Sequence, residues 1–221
     1  MHESSYLTGK KFFDTYTKHL VNFTVVEIGS QNVNGALRDH RPENCFAYVG
    51  LDLCEGNGVD IVLSDLYKFP LENHSCDVVI SSSVFEHAEM FWVSFLESLR
   101  ILKPNGLLYC NVPSSWDMFH RHPVDCWRFF PDAAKGLQTW ARYNGINVAV
   151  LETFVAPAKG VYGNATDWVA VFLKDERYIN KFQNRILDSL TDYSEYINGY
   201  RFPANERFQH GWNHPNAFSG E

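Results

Sequence analysis

No two cysteines in this chain are spaced to hold a zinc ion or to run a dithiol cycle. Cys45, Cys54, Cys76, Cys110 and Cys126 stand far apart and are odd in number, which excludes a disulfide framework and a Cys-x-x-Cys site. Cys110, after a Leu-Leu-Tyr run, reads as a small core hydrophobe. Long apolar runs are also missing. No stretch approaches the ~20 residues of a membrane-crossing helix, and the opening MHESSYLTGKK lacks an apolar signal core. A reducing cytoplasm is the expected compartment, with no membrane partner. Basic charge is scarce: 19 Lys and Arg stand against 26 Asp and Glu, a net charge of −7. That argues against a general phosphate-backbone binder, which needs a basic face, so nucleic acid is not an expected partner, while a local basic site stays open.

What the chain does have is an ordinary apolar share of 45% over 221 residues, enough to bury one full core. The simplest organisation is a single domain over 1–221. It would comprise a helical lead (1–22), a core (23–175), and a C-terminal helix and tail (176–221). From Thr8 to Val21, Phe12, Phe13, Tyr16 and Leu20 recur at helical spacing. Four short β-branched runs follow: TVVEI from Thr24, FAYVGLD from Phe46, DIVLSD from Asp60 and DVVISS from Asp77. Each is bounded by polar or turn residues, as buried parallel strands are. Only a brief helix fits between the first two, in GALRDHRP.

EMFWVSFLESLRILKPNG predicts a helix with Phe91, Phe95, Leu99 and Leu102 on one face, ended by Pro104 and Gly106. LLYCNV is the next strand, and then PSSWDMFHRHPVDCWRFFPD reads as a long irregular loop. AAKGLQTWARYNG predicts a helix, INVAVLETFV and DWVAVFLK strands joined by the loop APAKGVYGNAT, and DERYINKFQNRILDSL a helix. The last stretch, FPANERFQHGWNHPNAFSGE, has no periodicity and reads as a tail, whether lid, dimer contact or disordered end. Strands alternating with helices imply an α/β sheet with right-handed crossovers.

In open α/β sheets ligands bind beyond the carboxyl ends of the strands. Here those ends carry Glu27 and Gly29 in VVEIGSQNVNG, then Asp52, Asp65 and Ser81 to Ser83. A carboxylate at Asp52 can accept both ribose hydroxyls of a nucleoside. A dinucleotide also needs glycines that let the backbone approach its pyrophosphate; counted from Gly29, those positions hold Gln31 and Asn34. An adenosine ligand without phosphate escapes that requirement, and S-adenosylmethionine is one. Glu27 would attract its ammonium, and backbone N–H groups near Gly29 to Gln31 its carboxylate. The bland alternative is an ordinary strand end and turn with a solvated Asp52.

VVEIGSQNVNG, YVGLD, SDLYKFPLENHSCDVVISSSVFEHAE and LRILKPNGLLYCNVP resemble, in order and spacing, the motifs of class I S-adenosylmethionine-dependent methyltransferases of the type 11 group. HRHPVDCWRFFPDA is similar to a segment of small bacterial methyltransferases associated with surface-polysaccharide genes. The resemblance implies a Rossmann-like fold with a mixed seven-stranded sheet flanked by helices. By position it implies Glu27, Gly29 and Ser30 around the methionine moiety, Asp52 on the ribose and Leu53 beside the adenine. It further implies Asp65 on the adenine amino group, the Leu66 N–H on the ring, and Ser81 and Ser82 near the methyl group.

Methyl transfer from a sulfonium needs alignment of donor and nucleophile, plus a base where the acceptor is a hydroxyl. His122, Asp125 and His87 are the candidate bases, with His120 also in reach; for His87 a structural role at a helix start is the competing reading. Arg121 and Arg128 would bind an anionic acceptor, with Trp116 and Trp127 stacking on its ring. The bland reading of this loop pairs Asp125 with Arg128 and buries the aromatics. Some methyltransferases with a Glu-His pair like Glu86–His87 hold a metal, but the further carboxylate they use falls on Ser83, so no metal is expected. The expected activity is methyl transfer to an oxygen, or less readily a nitrogen, of a small polar acceptor such as a sugar or nucleotide-sugar. The rivals are a nicotinamide-dependent oxidoreductase, disfavoured by Gln31 and Asn34, and a non-catalytic S-adenosylmethionine-binding regulator. A homodimer is compatible with the sequence.

Overall fold

Side chains alternate across a strand, so a run that is apolar at every position must be covered on both faces. The central strands obey this. In β1 (Phe23–Ile28) Val26 and Ile28 enter one core while Phe23 and Val25 enter the other. In β4 (Cys76–Ser82) Val79 lies on the first side and Val78 and Ile80 on the second. The computed structural model describes residues 3–115, 119–121, 123–157, 166–190, 198–201 and 206–209.

The remaining strands are β2 (Cys45–Asp52), β3 (Ile61–Val62), β5 (Leu102–Ser115), β6 (Ala149–Pro157), β7 (Thr166–Leu173), β8 (Asn198–Arg201) and β9 (Glu206–Gln209). Their order is β3-β2-β1-β4-β5-β7-β6-β8-β9. Strands β1 to β5 pair in parallel, and β7 runs antiparallel between β5 and β6. The first seven make the mixed sheet implied by the resemblance. Helices α2 (Phe91–Ile101) and α3 (Asp132–Tyr143) cover one face through Phe95, Leu99, Leu137 and Ala141. Helix α1 (Glu3–Phe12), a π-helical turn (Phe13–Thr17) and the segment around Ile186 cover the other. Among the described residues no helix is long and apolar enough to cross a membrane.

Four local expectations are corrected. The first helix begins at Glu3 rather than Thr8, because Ser4 and Ser5 are anchored: both hydroxyls donate to the buried Asp167, at 2.6 and 3.0 Å. Helix α2 ends at Ile101, ahead of Pro104, and the chain passes straight into β5; a residue preceding proline favours extended backbone.

The helix expected over DERYINKFQNRILDSL is two short 3-10 turns, Glu176–Lys181 and Ile186–Ser189. Buried polar groups outbid the helix there. The Glu152 carboxylate accepts the N–H groups of Ile186 and Leu187, and Arg185, itself buried, donates to the carbonyls of Leu151, Phe182 and Asn184. Finally, part of the expected tail is strand, since β8 and β9 extend the sheet from the edge of β6.

Candidate active site

The sheet order reverses between β1 and β4, and a cleft of about 400 Å³ opens beyond their carboxyl ends. Such a switch point is where open α/β sheets take ligands, because the flanking loops diverge there. Gly29, Gln31 and Gly35 line it from the β1 side, Asp52 and Leu53 from β2, and Leu66 and Tyr67 from the loop after β3. Ser82, Ser83, His87, Pro123 and Val124 close the far end.

The loop after β1 works without the usual glycines because β2 and its following turn supply them. Gly29 adopts φ +74°, and a Cβ there would sit 2.2 Å from Val84 Cγ2. A Cβ at Gly50 would meet the Gly58 carbonyl at 2.1 Å and Ser30 Oγ at 2.5 Å. Ser30 is accordingly buried against Gly50 rather than exposed to the cleft. The close backbone approach that a Gly-rich loop provides within itself comes here from Gly50 and Gly58, which sequence spacing from Gly29 did not reveal.

The N–H groups of Gly29 to Asn32 are committed internally. Gly29 and Ser30 donate to the Leu51 carbonyl (2.8 and 3.1 Å), Asn32 to the Asn57 carbonyl (2.8 Å), and Gln31 to Asp52 Oδ2 (2.9 Å). The expectation that Gly29 to Gln31 grip the cofactor carboxylate is therefore corrected. The same commitment removes the donors a pyrophosphate would need, which disfavours a dinucleotide. Asp52 also accepts the Leu53 and Cys54 N–H groups through Oδ1 (2.7 and 3.4 Å), so its carboxylate is held at the cleft wall with a lone pair remaining on Oδ2.

Glu27 is a second correction. It does not line the cleft; it lies on the α1 face, buried, and accepts the Tyr48 hydroxyl at 2.5 Å. Burial pushes its carboxyl up to about 7, against the lowering pull of Tyr48 and Arg38. Asp65 likewise stands outside the cleft and accepts the Tyr67 N–H (2.8 Å), while Leu66 does line it. Ser81 is buried beneath the lining Ser82, and neither hydroxyl has a hydrogen-bond partner among the described residues. Ser83, beside them, takes the left-handed conformation, φ +57°.

The aromatic, charge-dense loop is only partly what its composition suggested. Trp116 and His122 lie outside the described residues. Arg128 is not free to take an anion: it forms a bidentate pair with Asp125 (2.5 and 2.8 Å). Asp125 also accepts the His120 N–H, and the Arg128 guanidinium holds its carboxyl well below the usual carboxylate range. A carboxylate so stabilised in its charged form is a poor base, so Asp125 is a fastener of the loop.

Trp127 is another fastener, its indole N–H donating to the Ala88 carbonyl (3.1 Å) and its ring lying edge-on to Phe91 and Trp92. Arg121 is exposed, its guanidinium over the Phe119 ring at 5.1 Å. Since Asp125 is only 1% exposed, Arg128→Ala should cost about 2 kcal/mol in urea unfolding, and adding Asp125→Ala should recover part of it. Full stability in the single variant would mean the pair does not secure the loop.

His87 does line the cleft. Its Nδ1 bonds the Val124 carbonyl, which requires the proton on Nδ1 and leaves Nε2 as the other functional atom. Nε2 lies 3.6 Å from Glu86 Oε1. Glu86 is fully buried, and neither of its carboxylate oxygens accepts a hydrogen bond from another described residue. Burial pushes it up to about 8. His120 approaches the same oxygen with Nε2 at 4.0 Å.

A family model for the methyltransferase domain matches residues 10–110, which span α1 to β5. Over that stretch, a little under half of the chain, the sequence is similar to the methyltransferase domain family. Among solved structures, the chain is similar in fold to the Burkholderia thailandensis 1,6-didemethyltoxoflavin N1-methyltransferase with bound S-adenosylhomocysteine. The identity is 12%, covering 78% of this chain and 79% of that one, with a TM-score of 0.61. It is also similar to a Galdieria sulphuraria protein assigned as a sarcosine dimethylglycine methyltransferase (13%, 78% and 85%, TM-score 0.57). A third is the carbon methyltransferase CurJ (16%, 77% and 54%, TM-score 0.52). No curated protein sequence matches the chain.

S-adenosylmethionine, whose sulfonium supplies an activated methyl group, is the ligand against which the cleft is tested. The residues fit that ligand: a carboxylate at the ribose position, apolar Leu53 and Leu66 for the adenine, and no pyrophosphate cradle. Asp52→Ala should weaken S-adenosylhomocysteine binding by about 2 kcal/mol, roughly 30-fold, in titration calorimetry. It removes a charged acceptor held at the cleft wall where ribose hydroxyls would reach it. Affinity unchanged in that variant would move the ribose elsewhere.

Proposed function

We propose that the protein is an S-adenosylmethionine-dependent methyltransferase acting on a hydroxyl oxygen, less readily a nitrogen, of a small polar acceptor, with a sugar or nucleotide-linked sugar as the favoured class. The observation that carries this reading is the polar convergence at one end of the cleft. Ser82, Ser83 and His87 line that end, and behind His87 the buried Glu86 carboxylate accepts no hydrogen bond from another described residue. Buried polar atoms without partners are costly unless a ligand or water satisfies them, and an apolar acceptor would leave them unsatisfied.

In this arrangement the cofactor lies along Asp52 and Leu66, and the acceptor enters against His87, so that its oxygen meets the methyl carbon in line. Alignment of that kind supplies most of the catalysis, since the sulfonium is already a good leaving group. The loop's likeness to polysaccharide-associated methyltransferases supports a sugar, and five free cysteines support a cytoplasmic setting. The expected anionic group on the acceptor now rests on Arg121, because Arg128 is committed to Asp125.

The test is methyl incorporation from labelled S-adenosylmethionine into a panel of sugars, nucleotide-sugars, amines and small phenols, with products read by mass spectrometry. O-methylation confined to sugar hydroxyls is expected. N- or C-methylated products alone would sink the oxygen assignment. Cofactor binding with no turnover on any acceptor would favour the non-catalytic regulator.

A further inference from the structure

Three donor side chains meet behind the wall of the cleft. Glu86, His87 and His120 each present one ligand atom, and the three atoms lie within 4.8 Å of one another. Nothing in their linear spacing shows this, because His120 arrives from the loop after β5 while Glu86 and His87 follow β4. The imidazoles are perpendicular to each other, yet both turn Nε2 toward Glu86. His87 turns Nε2 toward Glu86 and spends Nδ1 on the Val124 carbonyl; His120 turns Nε2 toward the same carboxylate and its Nδ1 toward Asp125, at 3.5 Å. Histidines that bind metals through one ring nitrogen characteristically give the other to a carbonyl or carboxylate, which fixes tautomer and ring angle.

The independent observation is Glu86. Its side chain is 0% exposed, and no other described residue donates a hydrogen bond to either carboxylate oxygen. It faces two Nε2 atoms at 3.6 and 4.0 Å, beyond hydrogen-bond length. A buried carboxylate with two imidazoles held just out of reach is a gap that a cation between them would close. Ligand atoms around a tetrahedral ion with ~2.1 Å bonds sit ~3.4 Å apart, so only small side-chain adjustments are needed.

We propose that Glu86, His87 and His120 form a site for one divalent first-row transition-metal ion at the acceptor end of the cleft. Two imidazoles and one carboxylate suit Zn²⁺, Mn²⁺, Fe²⁺ or Co²⁺; Mg²⁺ and Ca²⁺ prefer sets made wholly of oxygen. The site revises the expectation, drawn from linear spacing and from Ser83, that the protein holds no metal.

Its role rests on the reading that a hydroxyl is the acceptor. A hydroxyl oxygen on the ion becomes more acidic, and its O–H bond breaks with the proton passing to water. The oxygen lone pair then forms the new C–O bond as the methyl C–S bond breaks, and the sulfonium becomes a neutral thioether. His87 and His120 act here as ligands, and Asp125 as a positioning residue for His120.

The experiment uses the full chain stripped with EDTA, titrated with Zn²⁺ by calorimetry and loaded with Co²⁺ for visible absorption. We expect one Zn²⁺ per chain, d–d bands of a four- or five-coordinate Co²⁺, and an affinity lowered about 100-fold or more in both Glu86→Gln and His120→Ala. His120 is partly exposed, so its variant tests the site even if Glu86→Gln does not fold. Failure to take up any ion would overturn the site, as would Zn²⁺ affinity unchanged in both variants, which would place the ion on other histidines or on the exposed Cys54 and Cys126. S-adenosylhomocysteine is titrated into the same samples. Its binding without uptake of an ion overturns the metal site alone, whereas its failure to bind counts against the cofactor reading, and the Zn²⁺ titration still decides the site.

Discussion

Replacing His87 by alanine is expected to lower kcat by about 10²–10⁴-fold while leaving S-adenosylhomocysteine affinity nearly unchanged. His87 lines the acceptor end of the cleft, and its Nδ1 is tied to the Val124 carbonyl. Its Nε2 is therefore held at one place and in one tautomer, beside the buried Glu86. Whatever receives the acceptor hydroxyl there, whether the imidazole itself or an ion that it ligates, is lost with the ring.

Asp52 and Leu66, on the cofactor's side of the cleft, do not touch it in any hydrogen bond described above. A His87→Ala enzyme with normal kcat would place the chemistry elsewhere. His122, outside the described residues, would then be the next base to test. A variant that loses kcat and cofactor affinity in equal measure would mean that the ring props up the cleft. Supplying imidazole in solution separates these roles, since it can restore a missing base or ligand but not a missing prop.

The second large effect concerns pH and stability. The Glu27 carboxyl is pushed up to about 7 by burial, so the folded protein keeps a proton that the unfolded chain releases in the ordinary carboxylate range. Its contribution is fully present below the unfolded pKa. It declines as pH rises through the window between the two values, and it is lost above about 7. The loss is on the order of 3 kcal/mol.

Glu27→Gln removes the titration while keeping an oxygen for the Tyr48 hydroxyl. Urea unfolding at pH 5 and pH 8 should therefore show the wild type losing about 3 kcal/mol more than the variant. Burial also raises Glu86 and Glu152, so the variant retains their share, and the difference isolates Glu27. Parallel losses in the two proteins would refute the assignment. The prediction also separates two roles for this residue: a carboxylate that greeted the cofactor ammonium would be charged and would make cofactor affinity, rather than stability, fall on substitution.

The sequence alone determined the sheet and the class of ligand. Runs such as TVVEI and DVVISS place consecutive β-branched apolar residues on both sides of a strand, and only a strand covered on both faces can bury them. The carboxylate at Asp52 and the Gln31 and Asn34 that displace pyrophosphate glycines are local facts of the chain, so adenosine without phosphate was legible before any folding. The pairing of Asp125 with Arg128, three residues apart, was legible as an alternative for the same local reason, and it is what the structure shows.

Only the tertiary structure decided the rest. Because both faces of β1 are buried, period-two alternation could not tell that Glu27 points toward α1 and away from the cleft. The glycines that make the first loop possible come from Gly50 and Gly58, more than twenty residues onward, through a contact that no local spacing records. The C-terminal segment carried a helical pattern, but it lost its backbone donors to Glu152, a residue of another element. Glu86 and His87 meet His120 because β4 and β5 are parallel neighbours whose carboxyl ends open on the same side. A chain read in one dimension shows which residues can do chemistry; long-range pairing sets which of them stand within reach of one another.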